Sequence, residues 1–272
     1  MIYAQRNEIG VFAGTSCYIG DLNPTGFFSQ PKFATGLLYR YNFDTRWAMR
    51  INAHYANVTA NDAKYENPRN LDFKSTIYEL SATGEINFLT FFTGSKRLYR
   101  FTPYLFGGIG VFFFNPQGTH YDANTNSTTW VDLRPLSTEG QNMPEYPDKS
   151  YYNSASLAIP FGLGFKFSLS KHLTLGVELG IRKTFTDYLD DVSTTYADPY
   201  ILRTYISELS ADMSDKSVIP NAVGSERGNA SSKDWYHFAG ISLLYKIYPE
   251  KDHNCPAYHN ARSKRVPSIF AD

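Results

Sequence analysis

Apolar and polar residues alternate with a period of two along much of the chain. In residues 46–58, RWAMRINAHYANV, Trp47, Met49, Ile51, Ala53 and Tyr55 fall on one side of an extended backbone, with Arg50, Asn52 and His54 on the other. The period alone does not say which side is inside. A soluble sandwich would turn the apolar side to a core, whereas a membrane barrel would turn it to lipid and the polar side to a closed lumen.

The alternation recurs at residues 7–18, 31–43, 46–58, 74–88, 100–114, 155–168, 172–186 and 234–248. These segments are even in number, as a closed bacterial barrel requires, and most exceed the roughly 9 to 11 residues that cross a bilayer at a tilt. Soluble strands usually run to about 5 or 6. The links decide between the two readings. After the second and sixth segments they are the tight FDT and LSKH, and after the fourth the moderate LTFFTGSKRLY. After the first and third they are the longer IGDLNPTGFFSQ and TANDAKYENPRNLDF. After the fifth comes a stretch of about 40 residues beginning at Asn115, and after the seventh one of about 50, from Asp187 to Lys233. In an up-and-down barrel every odd link leaves at one end and every even link at the other, so long loops gather outside and short turns in the periplasm. The sequence therefore predicts an all-β fold, an eight-stranded antiparallel up-and-down transmembrane β-barrel with a closed polar lumen, long extracellular loops and short periplasmic turns. The barrel occupies residues 7–248, between a residual segment at 1–6 and a periplasmic C-terminal tail at 249–272.

With the apolar face outward, the second strand shows Phe33, Leu37, Tyr39, Tyr41 and Phe43 to lipid. The sixth shows Leu157 to Phe167 at alternate positions, and the seventh Leu173 to Ile181. The inward face then carries Glu8, Arg40, Arg50, Glu79, Glu85, Lys166, Glu178, Arg182 and Lys246, four acids against five bases. A barrel of eight strands is only wide enough for side chains to fill, so these charges are expected to pair across a shut lumen. The glycines of the wall, including those of FGGIG, mark bends and close approaches, and no helix follows FGGIG to make it a phosphate loop.

Composition adds exclusions. The 26 basic and 26 acidic residues cancel, which gives no electrostatic case for nucleic acid. No run reaches the roughly 18 apolar residues of a membrane helix. The 21 Tyr, 20 Phe and 3 Trp suit interfacial aromatic girdles. The opening MIYAQRNEIG lacks the pattern of a secretory signal, and IYA before Gln5 is compatible with the end of one already cleaved.

Candidate chemistry is sparse. His54 points inward and reads as a member of the charge network. His237, near the long-loop end of the last strand beside Trp235 and Tyr236, faces outward, where a lipid hydrolase would carry a catalytic His. No Ser and acid accompany it, and an aromatic belt accounts for all three residues, so no catalytic residue is assigned. Asp187, Asp190 and Asp191 could offer oxygen ligands, but their spacing matches no cation loop, and a solvated loop is expected. After Asp198 as cap and Pro199 at a first helical position, Ile201, Tyr205, Ile206 and Leu209 would share one face of a short helix at the barrel mouth.

Cys17 lies about nine residues past Glu8, roughly 20 Å or more up the wall and facing lipid, where an inert thiol is expected. Cys255 follows the last strand on the periplasmic side, so the two should not pair. An unpaired thiol in an oxidising compartment makes Cys255 a candidate for an intermolecular disulfide with a periplasmic partner. His253, Cys255 and His259 lack a fourth ligand for a metal site, and no metal or other cofactor is expected. The tail, with Arg262, Lys264 and Arg265, reads equally as a docking segment or a disordered stub. Lys96, Arg97 and Arg100 in the turn after the fourth strand are further candidate partner contacts.

EIGVFAGTSCYIGDLNP, ATGLLYRYNFDTRWAMR, RFTPYLFGGIGVF, LAIPFGLGFKFSLS, DYLDDVSTTYADP and RGNASSKDWYHFAGISL together resemble the PorG-type outer-membrane barrels of Bacteroidota, over about residues 8–248. The combination of YIGDLNP with DYLDDVSTTY and RGN carries most of the specificity. The resemblance implies a non-enzymatic part in the type IX secretion system, linking a periplasmic ring of a PorK-like lipoprotein and a PorN-like protein to the outer membrane. It supplies no catalytic residues. The alternatives are a generic small barrel serving transport or adhesion through its outer loops, and a lipid-modifying enzyme acting through His237.

Overall fold

The computed structural model describes residues 7–24, 26–65, 69–91, 100–123 and 125–247. Its wall is built from β1 (Asn7–Ile19), β2 (Lys32–Asn42), β3 (Trp47–Asn61), β4 (Asp72–Asn87), β5 (Phe101–Asp122), β7 (Ala155–Ser168), β8 (Leu173–Thr184) and β9 (Trp235–Ile247). Each of these pairs antiparallel with its neighbour, and β1 pairs with β9, from Asn7↔Ile247 to Ile19↔Trp235. The eight strands thus close into a barrel with no free edge. One further strand, β6 (Ser127–Asp132), pairs only with the upper part of β5 and forms a hairpin standing above the wall.

Closure fixes which face is which. Trp47, Met49, Ile51 and Tyr55 are exposed on the outside of β3, while Arg50, Asn52 and His54 between them are buried. Leu37 on β2 and Leu157 and Leu163 on β7 likewise face outward, the first 67% exposed. An apolar belt of this kind around a closed wall belongs in lipid. Pro160 sits in mid-wall on β7 without an N–H to give, and the β5–β7 ladder breaks opposite it, between Gly107↔Phe161 and Gly110↔Ala158.

The strands β1 to β5 and β7 to β9 match the eight alternating segments. The region after Asn115 differs from expectation, since β5 runs on to Asp122 and turns into β6. Its second arm, β6, is exposed at nearly every position, so no apolar alternation announces the hairpin. The expected single helix is two short ones, α1 (Pro199–Tyr205) and α2 (Glu208–Ser214). Asp198 does cap the first, accepting from Tyr200 N at 2.8 Å, but Ser207 starts a second by accepting from Ser210 N at 3.2 Å. The break turns Tyr205 and Ile206 to solvent, and the buried residue of α1 is Leu202, packed with Met143, Ala197 and Ala211.

All the long links and the β5–β6 hairpin lie at one end of the barrel, the short turns and both chain ends of the wall at the other. Segments 1–6 and 248–272 lie outside the described residues, and with them Cys255, His253, His259, Arg262, Lys264 and Arg265. So do Lys96 and Arg97. Arg100 is described and is exposed immediately ahead of β5. Replacing Leu163, half-exposed between its register partners Leu105 and Leu179, by Arg should cost roughly 2 to 4 kcal/mol near the bilayer midplane. Urea titration of the heat-modifiable folded band in lipid vesicles would measure the loss.

Candidate functional site

Parity along the strands carries nine charged side chains into the lumen, and the structure places all of Glu8, Arg40, Arg50, Glu79, Glu85, Lys166, Glu178, Arg182 and Lys246 there, each at most 5% exposed. Glu85 on β4 is the hub of the lower layer. Its carboxylate meets Arg40 Nε at 2.9 Å, Arg50 Nε at 3.2 Å and Lys166 Nζ at 2.5 Å. Arg40 reaches on to Glu8 at 3.0 Å and Arg50 to Glu178 at 2.6 Å. Tyr104 donates to the same Glu178 oxygen at 2.6 Å, and Lys166 to Asn87 Oδ1 at 2.8 Å. Lys246 stands opposite Glu8 across the β1–β9 seam.

Higher in the lumen Glu79 takes Arg182 at 3.1 Å, Tyr236 at 2.9 Å and Ser81 at 2.9 Å, with His54 Nδ1 at 3.4 Å. The Arg50 guanidinium lies 5.0 Å from the Phe106 ring centre and that of Arg182 4.1 Å from Phe238. Gly162 and Gly180 make room for Phe106, since a Cβ at either would come within 2.8 Å of its ring. Above this level the filling turns aromatic, with Phe73, Phe112, Phe114, Tyr152 and Tyr236 buried in one cluster. Charged pairs below and stacked rings above fill the interior.

At the mouth, three stretches distant in sequence meet. Tyr18 and Asp21 come from the end of β1 and the link after it, Asp187, Asp190 and Asp191 from the link after β8, and Arg227 to Asn229 from near its end. Arg227 is 2% exposed, bonds Glu139 at 3.0 Å and the carbonyl of Asp191 at 2.5 Å, and takes Ser214 O through Nε. Glu139, also buried, accepts from the backbone of Ser193 and Thr194 and from Thr194 Oγ1. Thr138 and Tyr152 donate to the Asp191 carboxylate at 2.5 and 2.6 Å. Asn229 N donates to Asp21 Oδ2 at 2.8 Å, and Arg69 reaches across to the carbonyls of Asp21 and Arg227.

The acidic run is therefore buried and not solvated: Asp187, Asp190 and Asp191 are at most 3% exposed. Burial pushes Asp187 up to about 7 and, against the pull of Arg227, Asp191 up to about 6. One oxygen of Asp187 accepts from Ser193 at 2.7 Å, and the other is buried without a hydrogen-bond partner. Among the described residues no group of three or more His, Cys, Asp or Glu is arranged to hold a metal ion.

His237 has the outward parity expected but not the exposure. Phe27 stacks on it at 4.1 Å and Phe28 meets it edge-on, so the ring is wholly covered. Tyr236 points the other way, into the lumen, so an interfacial belt does not account for it. Cys17, register partner of His237, is a free thiol and 1% exposed, buried where lipid contact was expected. Sequence reasoning missed Tyr18, Glu139, Arg227 and Asp234 in the mouth. Tyr18 lies in YIGDLNP and Arg227 in RGN, which the mouth brings together with DYLDDVSTTY, but nothing in the chain pairs these stretches, and Glu139 and Asp234 lie outside them.

A family model described as a domain of unknown function, DUF6089, matches residues 1–134 and 132–257. No curated protein matches the chain. Among solved structures the fold is similar to Neisserial surface protein A (10% identity over 89% of this chain and 97% of that one, TM-score 0.40). It is similar too to Ail, the attachment invasion locus protein of Yersinia pestis (9%, 89% and 99%, TM-score 0.41), and to outer membrane protein W of E. coli (14%, 91% and 100%, TM-score 0.37). By its own architecture, an even number of antiparallel strands closed on a polar interior with lipid-facing walls, the chain is an outer-membrane-type β-barrel.

Glu85→Gln should leave Arg40, Arg50 and Lys166 short of a shared anion and cost about 3 to 5 kcal/mol, read as an earlier urea midpoint for the folded band. The Asp187 shift sets a pH dependence. A carboxyl raised on folding stabilises the closed mouth fully below its unfolded value of about 3.9, and that contribution is lost as pH climbs through about 7. Cleavage of the 185–234 link by a protease of broad pH range should accordingly be slower at about pH 5 than at about pH 8, and Asp187→Asn should flatten the difference.

Proposed function

We propose, from the premise that the chain belongs to the DUF6089 family, that this barrel is a non-enzymatic outer-membrane anchor for a periplasmic protein-secretion ring. The supporting observation is the filled lumen. A wall packed with the ion pairs of Glu85 and Glu79 below and with Phe112, Phe114 and Tyr152 above leaves no passage for a folded or unfolded cargo. A membrane-spanning protein that conducts nothing is suited to hold something in place.

The resemblance to PorG-type barrels supplies the partner: a ring of a PorK-like lipoprotein and a PorN-like protein of the type IX secretion system. In this reading the short-turn end and both termini face the periplasm. Arg100, and beyond the described residues Lys96, Arg97, Cys255, Arg262, Lys264 and Arg265, are the contacts offered to the ring. Cys255 is the candidate for a covalent link.

Deleting residues 250–272 should leave a heat-modifiable barrel in the membrane and reduce the ring proteins that co-purify with it. Non-reducing gels of outer membranes should show a barrel adduct that Cys255→Ser removes. Failure of the intact barrel to bring down either ring protein would reject the anchor reading. It would favour a second one, a surface barrel acting through its outer loops, which the exposure of Val218 (95%) and Ile219 (82%) supports. In that case removal of residues 217–223 would abolish surface attachment.

A further inference from the structure

Tyr18 stands at the top of β1 between two carboxylates. Its hydroxyl oxygen is 2.6 Å from Asp190 Oδ2 and 2.8 Å from Asp234 Oδ1. All three residues are buried, at most 1% exposed. A phenol has one proton to give, and one proton shared between two carboxylates would leave two like charges facing each other in a buried site. A full hydrogen bond to each carboxyl group is made when Asp190 or Asp234 is an un-ionised acid that donates to the phenol oxygen.

The remaining oxygens of the pair are engaged by the backbone of the link. Val192 N donates to Asp190 Oδ1 at 2.9 Å and Leu189 N to Asp234 Oδ2 at 2.9 Å. The seat is cut to fit, because a Cβ on Gly20 would lie 2.0 Å from the Tyr18 oxygen and 2.2 Å from Asp234 Oδ1. Phe73 of β4 closes the other side with its ring 4.8 Å from that of Tyr18.

Among the described residues no cation forms an ion pair with Asp190 or Asp234. The link after β1 contributes Asp21, and the link after β8 contributes Asp187, both acids. Arg69 is committed to Asp62 at 2.9 Å and Arg227 to Glu139 at 3.0 Å. Lys233, beside Asp234, turns its ammonium to the carbonyl of Ala230 at 3.0 Å. Glu139, on the segment after β6, is held by Arg227, and Glu226 adds a further negative charge on the Asp21 side. Burial accordingly pushes both Asp190 and Asp234 well above the usual carboxylate range.

We infer that Tyr18, Asp190 and Asp234 form a proton-holding latch that seats the 185–234 link on the barrel mouth, and that withdrawing the shared proton releases the link. The balance is simple. Closed, the triad holds the phenol proton and one carboxyl proton. Alkali removes the carboxyl proton as water, leaving two carboxylates facing one donor, and their repulsion in a buried site is relieved only by hydration and opening. The sign follows from linkage: an acid raised on folding stabilises the closed state below its unfolded value and ceases to do so above its folded one. The latch lies at the end of the barrel opposite the ring contacts and is independent of the anchor reading.

The test uses the full-length barrel in lipid vesicles, with heat-modifiability as the check on folding. Infrared spectra in heavy water should show the carbonyl band of an un-ionised carboxylic acid at neutral pH, titrating away in alkali. Asp190→Asn and Asp234→Asn should each remove that band's intensity, and Asp187→Asn should leave the pair's contribution in place. Amide exchange at Leu189 and Val192, corrected for intrinsic rate, should accelerate about tenfold or more as the band disappears. In Asp234→Asn, whose amide donates permanently, that acceleration should be absent. Tyr18→Phe keeps the ring on Phe73 but removes the shared oxygen, and should raise exchange at every pH. An acid band untouched by both Asp→Asn variants, or exchange at Leu189 and Val192 that follows the intrinsic rate alone through the titration, would overturn the latch.

Discussion

A carboxylate surrounded by three cations inside a wall of eight strands is the arrangement on which the remainder of this barrel depends. Water has no room to solvate charges there, so Arg40, Arg50 and Lys166 are tolerable because Glu85 lies between them, with Glu8 and Glu178 completing the pairing of the two arginines. The arrangement in turn demands the register of the whole ring. Arg40 is on β2, Arg50 on β3, Glu85 on β4, Lys166 on β7 and Glu178 on β8, and a slip of one residue at any ladder would turn one of them to lipid. Ion pairs of this kind are poor sources of net stability but strong sources of specificity: they penalise every wrong alignment with an unpaired buried charge.

The same logic, applied at the mouth, gives a different structure. There the wall has ended and the burying is done by loops, which have no ladder to hold them. Arg227, Glu139 and Asp191 tie the segment after β6 to the link after β8, and Asp21 ties the first link to Asn229. A layer of polar loops thereby becomes a lid with an interior of its own, and Leu202, Met143, Ala197 and Ala211 supply its small apolar core. Acids dominate this interior where acids and bases balance below. The lumen is therefore set by pairing of opposite charges, and the mouth by hydrogen bonds and protons.

Much of this was legible in the chain. Period-two alternation locates the strands of the wall, and because the period is two it also divides lumen from lipid, which is why all nine inward charges could be named from parity alone. Alternating loop length supplies the closure. What parity does not contain is partnership. Glu85 meets Lys166 from 81 residues away, across a distance set by shear and side-chain length. The acidic run looks solvated for the same reason, since the residues that bury it, Tyr18 and Arg227, are remote and nothing local marks them as neighbours. His237 and Cys17 have the right face and the wrong environment: both are buried, and Phe27, in a loop of no regular pattern, folds back over the wall to stack on His237. The β6 arm of the β5–β6 hairpin, exposed at nearly every position, left no periodic trace at all.

The seam between β1 and β9 has a consequence for how such a chain comes to be folded. Asn7 pairs with Ile247, so the first strand to appear waits for the last, and the contact that closes the ring is also the one of greatest sequence separation. Until that moment both edges of the sheet carry unpaired amides and carbonyls, and Lys246 has yet to come opposite Glu8. A nascent or truncated chain is thus a sheet with two adhesive borders, hazardous in water and forbidden in lipid. Productive assembly must be all-or-none at the seam, and its timing belongs to whatever escorts the two ends together at the membrane.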